Sequence, residues 1–281
     1  MAEIAAKDVA ALRKITGAGM MDCKKALLEN DGDFERAKDW LREKGIAGAA
    51  KRAGRAADQG AVEVLVTGDV GAVVELNCET DFVAKGDVFG QALSALTKLV
   101  VEQGDTEIGA KTINGESVDD FVKGLSGTLG EKIELGRVAR FSTTDGLLDA
   151  YKHVQNDRGT VGVLVELGGV DRADAKAREV AHDIALHIAS AAPRYVTRDE
   201  VPADEVARER DIYTAQTKEE GKPEQAWPKI IEGKVNGYYK SVVLLEQSFV
   251  KDNKQTVDAV VKSLGGTAHV RGFARIKIGE E

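Results

Sequence analysis

A chain of 281 residues can hold one large domain or two to three small ones, each with its own core. With 43% hydrophobic and 31% charged residues the composition is that of a globular protein, and no apolar run approaches the ~20 residues of a membrane helix. A net charge of −8 argues against a surface built to neutralise phosphates, so no direct nucleic-acid partner is expected.

Residues 1–45 predict three short helices. Val9, Leu12 and Ile15 repeat at helical spacing, and Gly17 stands where a helix would be capped. A second helix is expected near Asp22, with Cys23, Ala26 and Leu27 facing inward. Asp33 is an N-cap for a third, on which Phe34, Ala37, Trp40 and Leu41 form one face. Residues 46–60 are small, Gly/Ala-rich and basic, and read as a linker whose Lys51, Arg52 and Arg55 face solvent.

From residue 60 the pattern changes to short strands. Val62, Val64 and Val66 alternate, Thr67-Gly-Asp69 turns, and Gly71-Ala-Val-Val-Glu-Leu76 returns as a hairpin. A helix follows through Phe89, Leu93, Leu96 and Leu99. The same plan recurs after Tyr151-Lys-His-Val: a turn at 156–159, a return strand Gly162-Val-Leu-Val-Glu-Leu167, and a helix through Val180, Ile184 and Ile188. The shared Gly-x-x-Val-Glu-Leu marks an internal duplication, hence an α+β fold of two halves, each a small antiparallel sheet covered by helix. Only the first copy continues into Asn-Cys-Glu-Thr-Asp-Phe.

Between the halves, a helix is expected near 118–125 and a strand over 130–141. Residues 204–220 and the stripe Trp227, Ile230, Ile231 and Val235 predict two helices joined at Gly221-Lys-Pro223, a projecting helical hairpin. The tail supplies a helix through Val257, Val260, Val261 and Leu264 and a closing strand near 270–278. The expected boundaries are 1–45, 46–60 (linker), 61–145 and 146–203 (the two halves), 204–240 (helical hairpin) and 241–281 (a segment completing the core).

Familiar catalytic patterns are missing. Gly127-Thr-Leu-Gly130-Glu-Lys132 has the wrong spacing for a phosphate loop, and no dinucleotide fingerprint, His-Glu-x-x-His or Cys-x-x-Cys occurs. His182 and His187 lie five apart, on different helix faces, which makes joint metal ligation poor. Cys23 and Cys78 sit in different modules and fit a reduced cytoplasmic protein, and the N-terminus lacks a signal peptide's pattern. Neither a cofactor nor covalent chemistry is expected.

Two long stretches resemble one family. Leu12-Arg-Lys-Ile-Thr-Gly-Ala-Gly-Met-Met-Asp-Cys-Lys-Lys-Ala-Leu27 and Glu75-Leu-Asn-Cys-Glu-Thr-Asp-Phe-Val-Ala-Lys85 are similar to motifs of bacterial elongation factor Ts. Weaker similarity continues through Leu129-Gly-Glu-Lys-Ile, Ala185-Leu-His-Ile-Ala-Ser and Glu220-Gly-Lys-Pro. The resemblance implies a ubiquitin-associated-type (UBA-like) three-helix domain, a two-part α+β core, a helical hairpin and a short C-terminal module. It implies a guanine-nucleotide exchange factor for elongation factor Tu, in a 1:1 or 2:2 complex, which displaces the partner's magnesium and releases GDP.

Carried over by position, Thr80, Asp81, Phe82 and Val83 form the wedge near the partner's metal. Arg13, Met20, Met21 and Lys24 match the N-terminal contact surface, and Leu129, Gly130 and His153 match core contacts. One family contact, a Lys-His pair, is His182-Asp183 here. Without the resemblance, Phe82 reads as core for the helix that follows it. The rival functions are an interaction adaptor that drives no exchange, an RNA- or ribosome-associated protein using 51–55, and a hydrolase, which the empty motif search disfavours.

Overall fold

The helical spacing of apolar residues that opens the chain becomes α1 (Ala6–Thr16), α2 (Met20–Glu29) and α3 (Phe34–Arg52). The computed structural model describes residues 4–221 and 223–280. Gly17 caps α1 at φ 68°, a left-handed conformation that glycine adopts without a Cβ penalty. Asp33 accepts the Arg36 amide at 3.0 Å and so caps α3. Leu12, Cys23, Ala26, Leu27 and Ala37 form the small core of this module, with Phe34, Trp40 and Leu41 packed against it.

The first half is β1 (Gln59–Thr67), β2 (Val70–Cys78), α4 (Asp81–Ala84), α5 (Asp87–Gln103), β3 (Thr112–Ile113), β4 (Glu116–Ser117), α6 (Val118–Leu129) and β5 (Ile133–Ser142). The β1–β2 loop is the two residues Gly68-Asp69, with Gly68 at φ 60°, the pattern of a type II′ turn. The second half opens with β6 (Leu147–Gln155), β7 (Arg158–Gly168) and α7 (Ala175–Ala191). Its turn residues Asn156 and Asp157 both have positive φ, 52° and 62°, as a type I′ turn requires. Then follow α8 (Ala203–Glu219), α9 (Trp227–Val242), β8 (Ser248–Phe249), β9 (Asp252–Thr256), α10 (Val257–Lys262) and β10 (His269–Lys277).

The strand orders β1-β2-β5 and β6-β7-β10 are the same plan twice, with the return strand of each hairpin in the middle. Alternate residues of β2 divide between two faces. Ala72, Val74 and Leu76 meet Phe89, Leu93 and Leu96 of α5, whereas Val73 points at the other sheet. There it packs with Val62, Leu164 and Ile276. On the far side, α7 covers the second sheet through Val180, Ile184 and Ile188. The layers therefore run helix, sheet, sheet, helix.

The repeated Gly-x-x-Val-Glu-Leu now has a physical reading. A Cβ on Gly71 would come 2.6 Å from Leu164 Cδ1, and one on Gly162 2.4 Å from Val62 Cγ1, so both glycines let the sheets approach. Both glutamates face a β-bulge. Glu75 accepts Arg137 Nε at 2.8 Å and Nη2 at 3.0 Å, and Glu166 accepts Arg271 Nη1 at 2.9 Å. The bulge dipeptide is Gly136-Arg137 in one half and Arg271-Gly272 in the other.

Residues 46–60 depart from the expected linker: α3 continues to Arg52, and only the residues between it and β1 connect the module to the core. The Ala-rich run propagates a helix well, and Gly45, just before it, is a contact point. A Cβ on Gly127 of α6 would lie 2.2 Å from Gly45 Cα, so the two helices cross backbone against backbone. Arg52 donates to Ser126 O at 3.3 Å, and Thr128 Oγ1 to Thr16 O at 3.4 Å, which seats the module on α6.

In the hairpin, Glu205 meets Tyr238 and Arg210 meets Glu232, an antiparallel register. Arg194 and Tyr195 also converge on Glu205 and tie the hairpin's base to the body. Its turn was expected at Gly221-Lys-Pro223, of which Lys222 lies outside the described residues, as do positions 1–3 and 281 of the expected terminal modules.

His187, buried on α7, anchors the tail. Its Nδ1 accepts the Val250 amide at 3.2 Å, so Nε2 carries the proton and donates to Gln247 Oε1 at 2.8 Å. Burial pushes the imidazole below its ordinary range, against the Gln247 bond that raises it. The folded state thus binds fewer protons here than the unfolded chain does. Its contribution is complete above the unfolded value of about 6.5 and declines as pH falls through that value toward the folded one. Denaturant midpoints measured from pH 7.5 down to 5.5 should fall more steeply for the wild type than for His187→Gln.

Candidate functional site

The antiparallel ladder between β2 and β5 ends at Cys78 opposite Ile133. Beyond it the chain turns into α4, a single helical turn made of Asp81, Phe82, Val83 and Ala84. Thr80 is its N-cap, accepting the Val83 amide at 3.4 Å. Ala84 is buried and Val83 packs on the first core cluster, so the turn is fastened by its inner face. Phe82 points the opposite way and is 84% exposed, a position incompatible with its reading as core for α5.

Asp81 is half exposed and holds Lys85 at 2.6 Å, one helical turn later. That hydrogen bond keeps the Asp81 carboxyl below the usual carboxylate range. Under the corner, the Cys78 thiol is pushed up to about 12, first by burial and then by the Glu131 charge. It remains a thiol and donates to Thr80 O at 3.1 Å.

Two glutamates that residue chemistry alone did not single out frame the corner. Glu131 accepts the amides of Glu79 and Thr80 at 3.1 and 2.9 Å and the Thr80 hydroxyl at 2.6 Å. Glu79 accepts the Lys132 amide at 2.6 Å and Arg55 Nη1 at 3.1 Å. The Lys132 amide is the main cause holding the Glu79 carboxyl below its ordinary value. The signal available in sequence was only that both lie inside the quoted motifs.

Leu129 ends α6 and Gly130 caps it at φ 78°, directly before Glu131, so these expected contact residues lie beside the Thr80–Glu131 bond. Leu129 is half-buried against the first core and Gly130 is exposed. Arg13 and Lys24 are exposed, as are Met20 and Met21 at 53% and 74%, on the separate α1–α2 surface. The two adjacent methionines both face out.

His153 stands apart from the corner, on β6, exposed and 3.2 Å from Tyr151 Oη. With Tyr151, Val161, Leu186, Val250 and Lys251 it borders an apolar groove of about 470 Å³. His182 lies nearby, 3.0 Å from Asp149, and Asp183 is paired with Lys251. Burial raises the Asp149 carboxyl, opposed by its bond to His182.

The linker cations proposed for RNA are engaged in part, Arg52 by Ser126 O and Arg55 by Glu79. Among the described residues no cluster of His, Cys, Asp or Glu could hold a metal ion, and no helix is long and apolar enough to cross a membrane.

The outward aromatic, its carboxylate neighbour and the methionine surface are parts suited to docking on another macromolecule. Known proteins match the whole chain. A family profile described as Elongation factor TS matches residues 79–280. Elongation factor Ts of Nocardioides sp. is 49% identical over 99% of this chain and 100% of the relative. The Elongation factor Ts proteins of Thermobifida fusca and Micrococcus luteus are 46% and 45% identical, over 100% and 99% of this chain and all of each relative. Similarity of this extent, with both motif-bearing modules included, makes the chain a member of the elongation factor Ts family, a translation elongation factor.

Proposed function

We propose that the protein is a guanine-nucleotide exchange factor that binds elongation factor Tu in its GDP form and expels the nucleotide by disturbing the partner's magnesium. The carrying observation is Phe82, 84% exposed on a helical turn whose other face is buried in a fixed core. An aromatic in that position gains hydrophobic free energy only when a second molecule covers it. Asp81 beside it brings a carboxylate toward the same surface. Nucleotide held by phosphate-loop amides and magnesium loses affinity when the metal site is disturbed.

Thr80, Asp81, Phe82 and Val83 form the wedge, with Thr80 and Val83 holding it and Asp81 and Phe82 meeting the partner. Arg13, Met20, Met21 and Lys24 make a separate hold, and Leu129, Gly130 and His153 extend the contact along the core. The chain acts without a cofactor or covalent chemistry, in the cytoplasm where translation runs. Coupling between nucleotide and exchange factor is reciprocal, so added GDP expels this protein from the partner.

The test is release of fluorescent GDP from elongation factor Tu with a catalytic amount of this chain. The expected result is accelerated release; a rate equal to the spontaneous one overturns the proposal. Lys24→Ala should weaken association by calorimetry, since it removes an exposed cation from the N-terminal surface. Unaltered affinity would remove that residue from the interface.

A further inference from the structure

We infer that Glu79 and Glu131 are positioning residues that set the direction in which Phe82 leaves the surface. This rests on the exchange reading above and names what makes its wedge rigid. The β2–β5 ladder stops at Cys78 and Ile133, and on the next residues a reciprocal pair of carboxylates takes its place. Glu131 ties down the amides of Glu79 and Thr80, and Glu79 ties down the amide that follows Glu131. Carboxylates reach farther than carbonyls, so the strands can splay while the amides stay satisfied. Bonds to an ionised acceptor are also stronger than the neutral ladder bonds they replace.

The clasp reaches Phe82 through Thr80. The Thr80 hydroxyl donates to Glu131 Oε1 at 2.6 Å and accepts the Val83 amide, so its orientation, and with it the cap of α4, is set from across the corner. Arg55 adds a tie from the segment after α3 to Glu79.

The second half serves as an internal control. Strand register aligns Glu75 with Glu166 and Leu135 with Val270. Continued past the ladders, the same alignment puts Val170 at the place of Glu79 and Gly266 at that of Glu131. The bulge ion pair, which is packing, is kept in both halves. The carboxylate clasp occurs only in the half that presents an exposed aromatic. A device needed merely to end this kind of sheet would have been expected in both.

The experiment is a cycle of four chains, wild type, Glu131→Ala, Phe82→Ala and the double variant, titrated in fluorescent GDP release from elongation factor Tu. Glu131→Ala should lower the maximal release rate about tenfold, the scale of lost hydrogen bonds to a charged group. The half-saturating concentration should change by less than about twofold, because the extended contacts remain. In the Phe82→Ala background the same substitution should have almost no further effect. Glu131→Gln keeps one acceptor, should lose less, and carries the same comparison should the alanine variant not fold.

Amide hydrogen exchange at Glu79 and Thr80 should speed up in the Glu131 variants of the free protein. Wild-type release from Glu131→Ala, equal losses with and without Phe82, or unchanged amide protection would each overturn the inference and leave the exchange reading standing. If the wild type itself releases no GDP, the exchange reading fails and the inference with it.

Discussion

Phe82→Ala is expected to leave the protein folded and to slow GDP release from elongation factor Tu by about 10- to 100-fold. The ring is 84% exposed in the free chain, so its removal creates no cavity, and the denaturant midpoint should barely move. In the complex, burying the ring contributes about 1.5–3 kcal/mol, and each 1.4 kcal/mol is a factor of ten. Weakening bound nucleotide a thousandfold takes about 4 kcal/mol, more than one phenylalanine supplies. The extended contacts must hold the ring in place, and Asp81→Ala combined with Phe82→Ala should slow release further. Stopped-flow release of a fluorescent nucleotide reads both variants. A double variant as active as the wild type would remove the corner from the mechanism without touching the family assignment.

Arg137→Ala should be the most destabilising of the ion-pair substitutions, by about 3 kcal/mol or more. Glu75 is only 3% exposed, and Arg137 supplies two of its side-chain bonds while also donating to Lys277 O at 2.7 Å. Removing the guanidinium leaves a carboxylate inside the first sheet with the Arg137 amide, at 3.0 Å, as its remaining partner. The contrast is Arg208→Ala, which breaks an exposed pair with Asp204 one turn away on α8. That loss should stay below about 0.5 kcal/mol, since solvent already screens both charges. Urea unfolding of the two variants measures the difference. Equal midpoints would mean that the bulge pair adds nothing to the sheet.

Local chemistry made much of this architecture legible. Val62, Val64 and Val66 alternate because one face of β1 meets a second layer, and Asn156-Asp157 announces a turn because few residues accept positive φ. The two copies of Gly-x-x-Val-Glu-Leu betrayed the duplication, since equivalent strands need equivalent packing. The extension of α3 was hidden by the small, Gly/Ala-rich composition of 46–60, and the close approach of Gly45 to Gly127 of α6 shows only in the fold. The purpose of Glu75 was equally hidden, because its partner lies 62 residues away across a bulge. The proposed wedge was nameable only through its motif; composition at a helix start favours burial of an aromatic, and Phe82 does the opposite.

The order of residues by itself determined the helices, the hairpins, the repeat and the family, because each depends on spacing within a short window. Which way Phe82 faces, what braces its turn and how the first module sits on the core were decided only in three dimensions. Burial and carboxylate-to-amide bonds join segments that lie tens of residues apart, as Glu131 and Thr80 do across 51 positions, and no local pattern encodes such a meeting.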